Sequence, residues 1–324
     1  MSGEKVDVIC LGILVADVFC SPLDALPTAG ELKLVDEIIL QVGGCAANTA
    51  VSLSKLGTRV TVMGKVGSDA FGQFIIDDLA SKGPDTKGIT RSTEVGTSKT
   101  MIIPVISEDR RFIHTLGANA DLSYDDIDLE VVSQGKILYV GGYLGLPRLD
   151  QKSLVSLLKY AKEKGLSTVL DVIVPSGAFS YDLGFHLAEA LAHTDVFLPN
   201  DDEARLLTGQ GEPEEQAQIG LEKGCDTVVI TMREKGTLLK TKDLTLRADI
   251  FHLPVVDPSG AGDAFDAGFI SGMLWGWDLK RTLELASAVG ASAVTKLGCT
   301  TGVFSAAQAK EFLKNNRLPI TEYR

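Results

Sequence analysis

The sequence predicts an α/β protein in which a mostly parallel central sheet is covered by helices and carries a small additional β element. From about residue 118 onward, short apolar segments alternate regularly with segments of helical periodicity, a pattern typical of a parallel sheet with helices on both faces. Before residue 118, strand-like segments dominate. The 324 residues can bury a large core without a disulfide or a structural metal.

The first third of the chain supplies the strand-rich part. Residues 6–15 are apolar and β-branched and predict a buried strand, and residues 32–41 predict a second strand. A glycine pair then precedes a predicted helix over 46–56, which ends at Gly57. The other strands expected here are 60–63, 89–93, 99–106 and 111–115, with a helix over 71–82 and a hairpin turn at 107–110.

The second part of the chain alternates between the two kinds of element. The predicted strands are 137–140, 168–174, 196–198 and 227–231. The predicted helices are 151–164, 182–192, 202–208 and 214–223. A further strand is expected to end at Val256, immediately before a glycine-rich helix start. We expect these elements to form one three-layer α/β/α body.

Composition and charge exclude several classes of function. Asp and Glu number 43 against 31 Lys and Arg, giving a net charge of -12, whereas a nucleic-acid-binding protein normally has a basic face. Five scattered cysteines without a C-x-x-C pair, and four histidines without ligand spacing, are typical of reduced thiols and argue against zinc. The first apolar segment is too short to cross a membrane. We therefore expect a cytoplasmic protein with neither a nucleic-acid nor a membrane partner.

A glycine-rich helix start at residues 255–263, V-V-D-P-S-G-A-G-D, indicates phosphoryl transfer. Backbone N–H groups at a helix start lack intrahelical partners, and the small residues 260–262 would let a phosphate approach them. Asp263 in the first turn could accept the proton of an attacking hydroxyl. Taken alone, Asp263 is equally well explained as a helix-favouring acid. The chain has no Walker A motif and no G-x-G-x-x-G after its first strand.

Two further segments end a predicted strand and begin a helix. In V-G-G-C-A-A-N-T-A (42–50), Gly43 and Gly44 permit close backbone approach, and Asn48 offers a donor and an acceptor to a polyol. In D-V-F-L-P-N-D-D-E (195–203), the terminal acids could hold a hydrated Mg²⁺. Each segment alone is explained by an ordinary strand–helix turn or a solvated acidic helix start.

Together these motifs resemble those of the ribokinase-like (PfkB) family of carbohydrate kinases. G-G-C-A-A-N-T-A (43–50), with Gly57 and Gly67, is similar to the amino-terminal signature of that family. D-P-S-G-A-G-D-A-F-D-A-G-F-I (257–270) is similar to the carboxyl-terminal signature, and N-D-D-E (200–203) to its N-x-x-E motif. The resemblance implies one ribokinase-like kinase domain over 1–324, with a β-sheet lid from about 14–42 and 97–116. It also implies that ATP and Mg²⁺ serve to phosphorylate a sugar hydroxyl.

The resemblance also assigns roles to individual residues. It implies that Asp263 is the catalytic base and that an anion hole is formed by Gly260, Ala261 and Gly262. Substrate contacts are implied for Asp17, Gly43, Gly44 and Asn48. Nucleotide contacts are implied for Asn200, Thr231 and Gly236, and a water-mediated contact with Mg²⁺ for Glu203. A monovalent cation, K⁺ in some members, would be held near Asp257, Ser259, Ala293, Lys296 and Gly298.

Departures from the motifs of individual sugar kinases leave the identity of the acceptor open. Val15, Cys45 and the pair Gly141–Gly142 stand where ribokinases proper carry Asn, Lys and Glu. The segment 171–175 lacks the Asn and Arg of the D-x-N-x-R pattern of ketodeoxygluconate kinases, and Arg233 replaces the first glycine of the T-x-G-x-x-G loop. Fructokinase-like, nucleoside-kinase-like and other sugar-kinase functions therefore stay open.

Three further alternatives concern the lid and the overall role of the protein. A sugar phosphate could be the acceptor if its phosphate were held by Lys99, Arg110 and Arg111, which are otherwise solvated hairpin charges. A non-catalytic sugar or nucleotide sensor is a less favoured alternative, because a sensor has no need of the base Asp263. Lids of this family often pair, so a homodimer through the lid is a further expectation.

Overall fold

The computed structural model describes residues 6–106, 108, 111–174 and 183–323, with the side chains of 183–186 excepted. The expected turn at 107–110, with Arg110, lies largely outside the described residues, as do Pro175 and the expected helix start at 182.

Strands form two separate sheets. In chain order the described strands are β1 (Val8–Gly12), β2 (Val15–Cys20), β3 (Ile38–Gly43), β4 (Val60–Gly67), β5 (Asp85–Ser92), β6 (Lys99–Ile103), β7 (Arg111–Thr115), β8 (Ile137–Gly141), β9 (Ser167–Leu170), β10 (Val196–Phe197), β11 (Thr227–Thr231), β12 (Thr237–Thr241), β13 (Thr245–Ala248) and β14 (Ile320–Tyr323). The large sheet has the order β14-β13-β12-β11-β10-β9-β8-β1-β4-β5. The small sheet has the order β3-β2-β6-β7.

Helices cover the large sheet. The described helices are α1 (Cys45–Lys55), α2 (Ala70–Ser81), α3 (Leu129–Val132), α4 (Gln151–Glu163), α5 (Leu183–Leu191), α6 (Asp201–Thr208), α7 (Pro213–Glu222), α8 (Ala261–Leu274), α9 (Leu279–Ala293) and α10 (Ala306–Asn315). Two hydrophobic clusters, one containing α1, α8 and α9 and the other α4, flank the sheet. In the described chain, none of the helices combines the length and apolar content that a membrane crossing requires.

The mostly parallel sheet confirms the predicted fold class. Seven neighbouring strands, from β11 through β8 and β1 to β5, pair in parallel. The strands β12, β13 and β14 extend that sheet by antiparallel pairing. These three strands were not predicted, because their short segments T-L-L-K-T, T-L-R-A and I-T-E-Y have no clear alternation of apolar and polar residues. Antiparallel strands can be joined without a crossover helix. The regular alternation of strands and helices therefore ends at β11.

One expected element is wrong. No strand ends at Val256; residues 249–258 form an irregular connection between β13 and the start of α8. The N–H groups of Val256 and Asp257 both donate to the carbonyl oxygen of Val294, in the loop after α9. Val255 and Val256 are 68% and 61% exposed, so the apolar pair that suggested a buried strand lies on the surface. The start of α8 is therefore held by a loop–loop contact.

The small sheet coincides with the expected lid. Its strands span 15–43 and 99–115, close to the expected lid segments of about 14–42 and 97–116, and its action as a lid stays a prediction. β2 continues almost directly from β1, so the lid is joined to the edge where the central parallel strands end. The end of β3 leads into α1 through Gly43 and Gly44. The end of the small sheet and the start of α1 are thereby placed beside each other. The extent of a single kinase domain over 1–324 stays a prediction.

Candidate active site

The starts of α1 and α8 meet at one point. Asn48 Nδ2 donates to Asp263 Oδ2 at 2.8 Å, although 215 residues separate them in sequence. The hydroxyl of Thr49, the next residue in α1, donates to the Asp263 carbonyl oxygen at 3.2 Å. The approach is close because α1 and α8 pack through small side chains in one cluster, among them Ala46 and Ala264. Two motifs identified separately in the sequence thus form one site.

Asp263 is electrostatically suited to accept a proton. Burial raises its pKa to about 6. Hydrogen bonds from Asn48 and from the Cys45 thiol oppose that rise, while the nearby carboxylate of Asp17 adds to it. A base is most effective when its pKa lies near the working pH. The environment of Asp263 moves it from an ordinary carboxylate toward that range.

The start of α8 forms an open cradle of peptide donors. Gly260 precedes the helix with φ +75°, and a side chain there would meet the Cys299 carbonyl oxygen at 2.4 Å. At Gly262 no atom outside its chain neighbours and the backbone of α8 lies within 4 Å of the place a Cβ would take among the described residues. The N–H groups of 261–263 have no intrahelical acceptor. Of the three predicted anion-hole residues, Gly262 therefore borders free space next to Asp263, at a helix start that stabilises negative charge.

The predicted substrate residues lie on the lid side of this cradle. Asp17 on β2 is half-buried, and its Oδ2 would lie 2.0 Å from a Cβ at Gly43, so only glycine leaves room for this carboxylate. Gly44 adopts φ +97°, and its Cβ would meet the Ile13 carbonyl oxygen at 2.4 Å. The glycine pair therefore allows β3 to turn into α1 against both Asp17 and the end of β1.

Three residues behind the base were missed as site residues. The Tyr139 hydroxyl donates to Asp266 Oδ2 at 2.9 Å and lies 3.4 Å from Asp171 Oδ2. Ligand atoms of Cys45, Asp171 and Asp263 all lie within 4.8 Å of one another. Burial and mutual repulsion raise the pKa values of Asp171 and Asp266 well above the usual range. A polar Tyr in an otherwise apolar strand, and an Asp one helical turn after Asp263, were the available signals.

The predicted nucleotide residues gather at the start of α6. Asn200 caps this helix and accepts from the Glu203 N–H at 2.9 Å, while Glu203 Oε2 accepts from the Asn200 N–H at 2.9 Å. Asn200 also forms an isolated bridge with Thr231 at the end of β11. Burial raises the pKa of Glu203 to about 7. The two hydrogen bonds with Asn200 lower this pKa but do not outweigh the effect of burial. The hydrogen bond from the Asn200 N–H engages Oε2 of this carboxylate.

The loop after Thr231 keeps a glycine-like backbone. Arg233, which replaces the first glycine of the expected loop, adopts φ +52° in the left-handed region. Its guanidinium donates to Asp202 Oδ2 at 2.7 Å. Gly236 adopts φ +86°, and a side chain there would meet the Ala248 carbonyl oxygen at 2.0 Å. Arg233 therefore adopts a backbone conformation that glycine favours and forms an ion pair with α6.

The expected monovalent-cation residues are only partly brought together. Asp257 accepts from the Ser259 N–H and from the Gly298 N–H, both at 3.0 Å, and so joins the two loops in question. Ala293 ends α9, and its carbonyl oxygen would lie 2.7 Å from a Cβ at Gly302. Lys296 lines a surface groove with Lys55 and Gln308. A role of Lys296 at a cation site stays a prediction.

The chain is similar to known proteins over nearly its whole length. The family described as pfkB family carbohydrate kinase matches residues 5–306. "Probable fructokinase-4" of Arabidopsis thaliana is 26% identical, covering 97% of this chain and 99% of the relative. The structure of Arabidopsis thaliana ribokinase complexed with ribose and ATP superposes with a TM-score of 0.82 at 24% identity, covering 96% and 99% of the two chains. A putative ribokinase II from E. coli in complex with ATP and Mg²⁺ gives a TM-score of 0.79 at 22% identity, covering 96% and 100%.

Proposed function

Since the chain belongs to the pfkB family of carbohydrate kinases, we propose that it transfers the γ-phosphate of ATP to a sugar hydroxyl with Asp263 as general base. The observation that carries this proposal is the position of Asp263. Its carboxylate, with a pKa raised by burial to about 6, borders the open peptide cradle of α8 and is oriented by Asn48. Base and phosphate site are thus adjacent, as an in-line transfer requires.

In the proposed step, the sugar hydroxyl oxygen attacks the γ-phosphorus while its proton passes to Asp263. The new O–P bond forms as the bond to the β–γ bridging oxygen breaks, and ADP leaves. The N–H groups at the start of α8 stabilise the charge that develops on the transferred group. The Asn48 amide holds Oδ2 of the base in place.

The nucleotide would lie along Asn200, Thr231 and Gly236. ATP and Mg²⁺ are carried over as a proposal from the E. coli neighbour, whose structure is described as a complex with both. Glu203, with one oxygen committed to the cap of α6, would hold the hydrated ion through water. When bound, Mg²⁺ would neutralise charge on the β- and γ-phosphates.

Two described cations that could have bound a phosphorylated acceptor have other partners. Lys99 lies 3.6 Å from Asp69 and over the Phe71 ring, 4.9 Å from its centroid. Arg111 pairs with Glu108. These contacts favour an acceptor without a phosphate group. The joint presence of Asp17, Asn48 and Asp263 favours an enzyme over a sensor.

Three finer features are part of the proposal. A monovalent cation would bind mainly backbone carbonyls near the Asp257 junction, and replacement of K⁺ by a larger organic cation would then lower the rate. A homodimer through the lid is supported by exposed Ile38, Met101 and Ile113 on one side of the small sheet, and light scattering would test it. A cytoplasmic location is supported by five free cysteines.

The base is tested by Asp263→Asn, with the exposed Asp249→Asn as the matched control. We expect the variant to bind ATP and to lose about 10²- to 10⁴-fold in turnover, because a positioned general base contributes that much. The control should keep wild-type turnover. An Asp263→Asn rate within threefold of wild type in coupled ADP release would contradict the assignment.

A further inference from the structure

The α9–α10 loop, residues 294–305, lies against the segment that leads into α8. Its first carbonyl oxygen, that of Val294, accepts from the N–H groups of Val256 and Asp257. Further along the loop, the N–H group of Gly298 donates to Asp257 Oδ2 at 3.0 Å. The position of the segment before α8 therefore depends on the position of this loop.

Cys299 in the α9–α10 loop encloses the residue at which α8 begins. A Cβ at Gly260 would lie 2.4 Å from the Cys299 carbonyl oxygen and 2.6 Å from its Cβ. Gly260 has φ +75° and directly precedes the N–H groups that are proposed to stabilise the transferred phosphate. Because the two residues pack with no side chain between them, a shift of the loop at Cys299 changes the support of Gly260. The direction of the N–H groups would change with it.

The far end of the α9–α10 loop is held by Lys55, the last residue of α1. Lys55 Nζ donates to the carbonyl oxygen of Thr300 at 2.6 Å and to that of Thr301 at 3.3 Å. Hydrogen bonds from a charged donor are stronger than those between neutral groups. Burial and the positive charges of Lys296 and Lys82 lower the pKa of Lys55. The two carbonyl oxygens are thus the negative partners of an ammonium group that has cationic neighbours.

The helix that carries Lys55 also orients the base. Asn48 on α1 donates to Asp263 Oδ2 at 2.8 Å, and Thr49 donates to the Asp263 carbonyl oxygen at 3.2 Å. Asn48 and Lys55 are about two helical turns apart, or about 10 Å along the axis. One rigid helix therefore contacts the start of α8 directly, through Asn48, and contacts the loop that supports it through Lys55.

We propose that Lys55 is a positioning residue for phosphoryl transfer, which holds the α9–α10 loop against Gly260 and so keeps the N–H groups of the cradle aligned with Asp263. The inference rests on the proposed kinase function and goes beyond it by adding a residue that acts on the cradle from a distance. Lys55 acts through the loop and is not assigned a contact with a reacting atom. A misplacement of about 1 Å that originates far from the chemistry can lower a rate about 100-fold, so an anchor of this kind has a measurable effect.

The experiment compares variants of Lys55 with a matched lysine outside the loop contact. Lys55→Met keeps an unbranched apolar side chain and removes the ammonium group, whereas Lys55→Arg keeps a charged N–H donor. Lys82→Met is the control, because Lys82 contributes to the same positive field but pairs with Asp78 at 2.7 Å. Coupled ADP release is measured with the sugar and ATP varied in turn, and calorimetry on the same preparations measures stability.

We expect Lys55→Met to lower kcat about 10- to 100-fold, the scale of a lost hydrogen bond from a charged donor. The sugar KM should stay within threefold, because Asp17, Gly43 and Gly44 lie on the lid side of the cradle. Lys55→Arg and Lys82→Met should keep kcat within threefold of wild type. A kcat within threefold of wild type in Lys55→Met, or an equal loss in Lys82→Met, would overturn the proposal.

Chemical rescue distinguishes a positioning role from a general loss of structure. Lys55→Ala removes the atoms that propylammonium supplies, and Lys55 and Thr301 line a surface groove of about 370 Å³ that leaves room for this ion. At a fixed K⁺ concentration, we expect propylammonium to raise the turnover of Lys55→Ala. Tetramethylammonium, which has no N–H group, should not raise it. Equal effects of the two ions would contradict the role of Lys55 as a hydrogen-bond donor. If the Met and Ala variants do not fold, Lys55→Gln takes their place, with the same loss of kcat expected.

Hydrogen exchange separates the failure of this inference from that of the kinase proposal. If the wild type forms no ADP with any acceptor, the kinase proposal fails and the role of Lys55 in transfer is rejected with it. If the wild type is active, we expect amide exchange over 256–262 and 294–302 to be faster in Lys55→Met than in Lys82→Met. Unchanged exchange in these segments would reject the anchor alone, even if kcat were lowered.

Discussion

The start of α8 and the inner face of the lid border the same space but are built in different ways. At α8, one short segment supplies the base and the donors, and backbone geometry fixes both: Gly260 is left-handed and enclosed by Cys299. On the small sheet, Gln41, Asp17, Thr100 and His114 come from four different strands and are aligned only by the strand register. The residues proposed for the chemistry are therefore close together in sequence, whereas the polar residues aligned across the small sheet are distant from one another in sequence.

The largest expected effect lies at the cradle. Gly260→Ala places a methyl group 2.4 Å from the Cys299 carbonyl oxygen in a left-handed residue, so we expect loss of both stability and turnover. Gly262→Ala meets no atom outside its chain neighbours and the backbone of α8 within 4 Å among the described residues and should leave the unfolding temperature unchanged. It fills the space proposed for phosphate and should lower kcat about 10²-fold, the scale of a lost oxyanion donor.

The two variants separate packing from function at the start of α8, because Gly260→Ala should change both stability and turnover whereas Gly262→Ala should change turnover alone. Calorimetry and ADP release on the same preparations would check them. Wild-type activity in Gly262→Ala would show that the free space at the start of α8 is not used by the transferred phosphate.

A pH profile tests the state of the base. Burial raises the pKa of Asp263 to about 6, and only the deprotonated form can accept a proton. We expect kcat/KM to be level above about pH 7 and to fall tenfold per pH unit well below pH 6. A limb that breaks near pH 4, the ordinary range of a carboxyl group, would contradict the assignment.

An effect of intermediate size is expected for a variant next to the lid, Gly43→Ala. In Gly43→Ala the new methyl group would lie 2.0 Å from Asp17 Oδ2 and force that carboxylate to move. We expect the sugar KM to rise about tenfold while the ATP KM is unchanged, since the nucleotide residues lie on α6 and β11. If both KM values rose together, the lid and the cradle would not act as the separate regions described above.

The smallest effect is expected at Arg233. Arg233→Gly relieves a left-handed residue, which costs about 1 kcal/mol for a side chain with a Cβ, and removes an exposed ion pair with Asp202, worth about 0–1 kcal/mol. The two changes oppose each other, so unfolding free energy should move by no more than about 1 kcal/mol. Denaturant unfolding would measure this, and a loss above 2 kcal/mol would show that the ion pair anchors the loop.

The sequence predicted what local backbone geometry dictates. Glycines that need positive φ or close approach, at 43–44 and 260, mark both helix starts, and Asn48 and Asp263 were each identified by the motif around them, although their contact was not predicted. The fold class followed from the alternation of strands and helices. Asn200 was identified by its motif, whereas its role as the cap of α6 was not predicted.

Features that depend on tertiary pairing were not predictable. His114 and Thr100 carry no motif, and only the strand register places them beside Asp17. Tyr139 and Asp266 meet because β8 passes under α8, which no local pattern encodes. Val255 and Val256 misled the prediction, since exposed apolar residues near a loop contact look like a buried strand.

The central claim is phosphoryl transfer to a sugar hydroxyl, and coupled ADP release tests it most directly. The assay would use ATP–Mg²⁺ with pentoses, hexoses, keto-sugar acids, nucleosides and sugar phosphates. We expect one strongly preferred acceptor that is an uncharged sugar, and we expect turnover to be lost in Asp263→Asn. ATP binding without ADP formation for every acceptor would contradict it and favour a sensor built on the same fold.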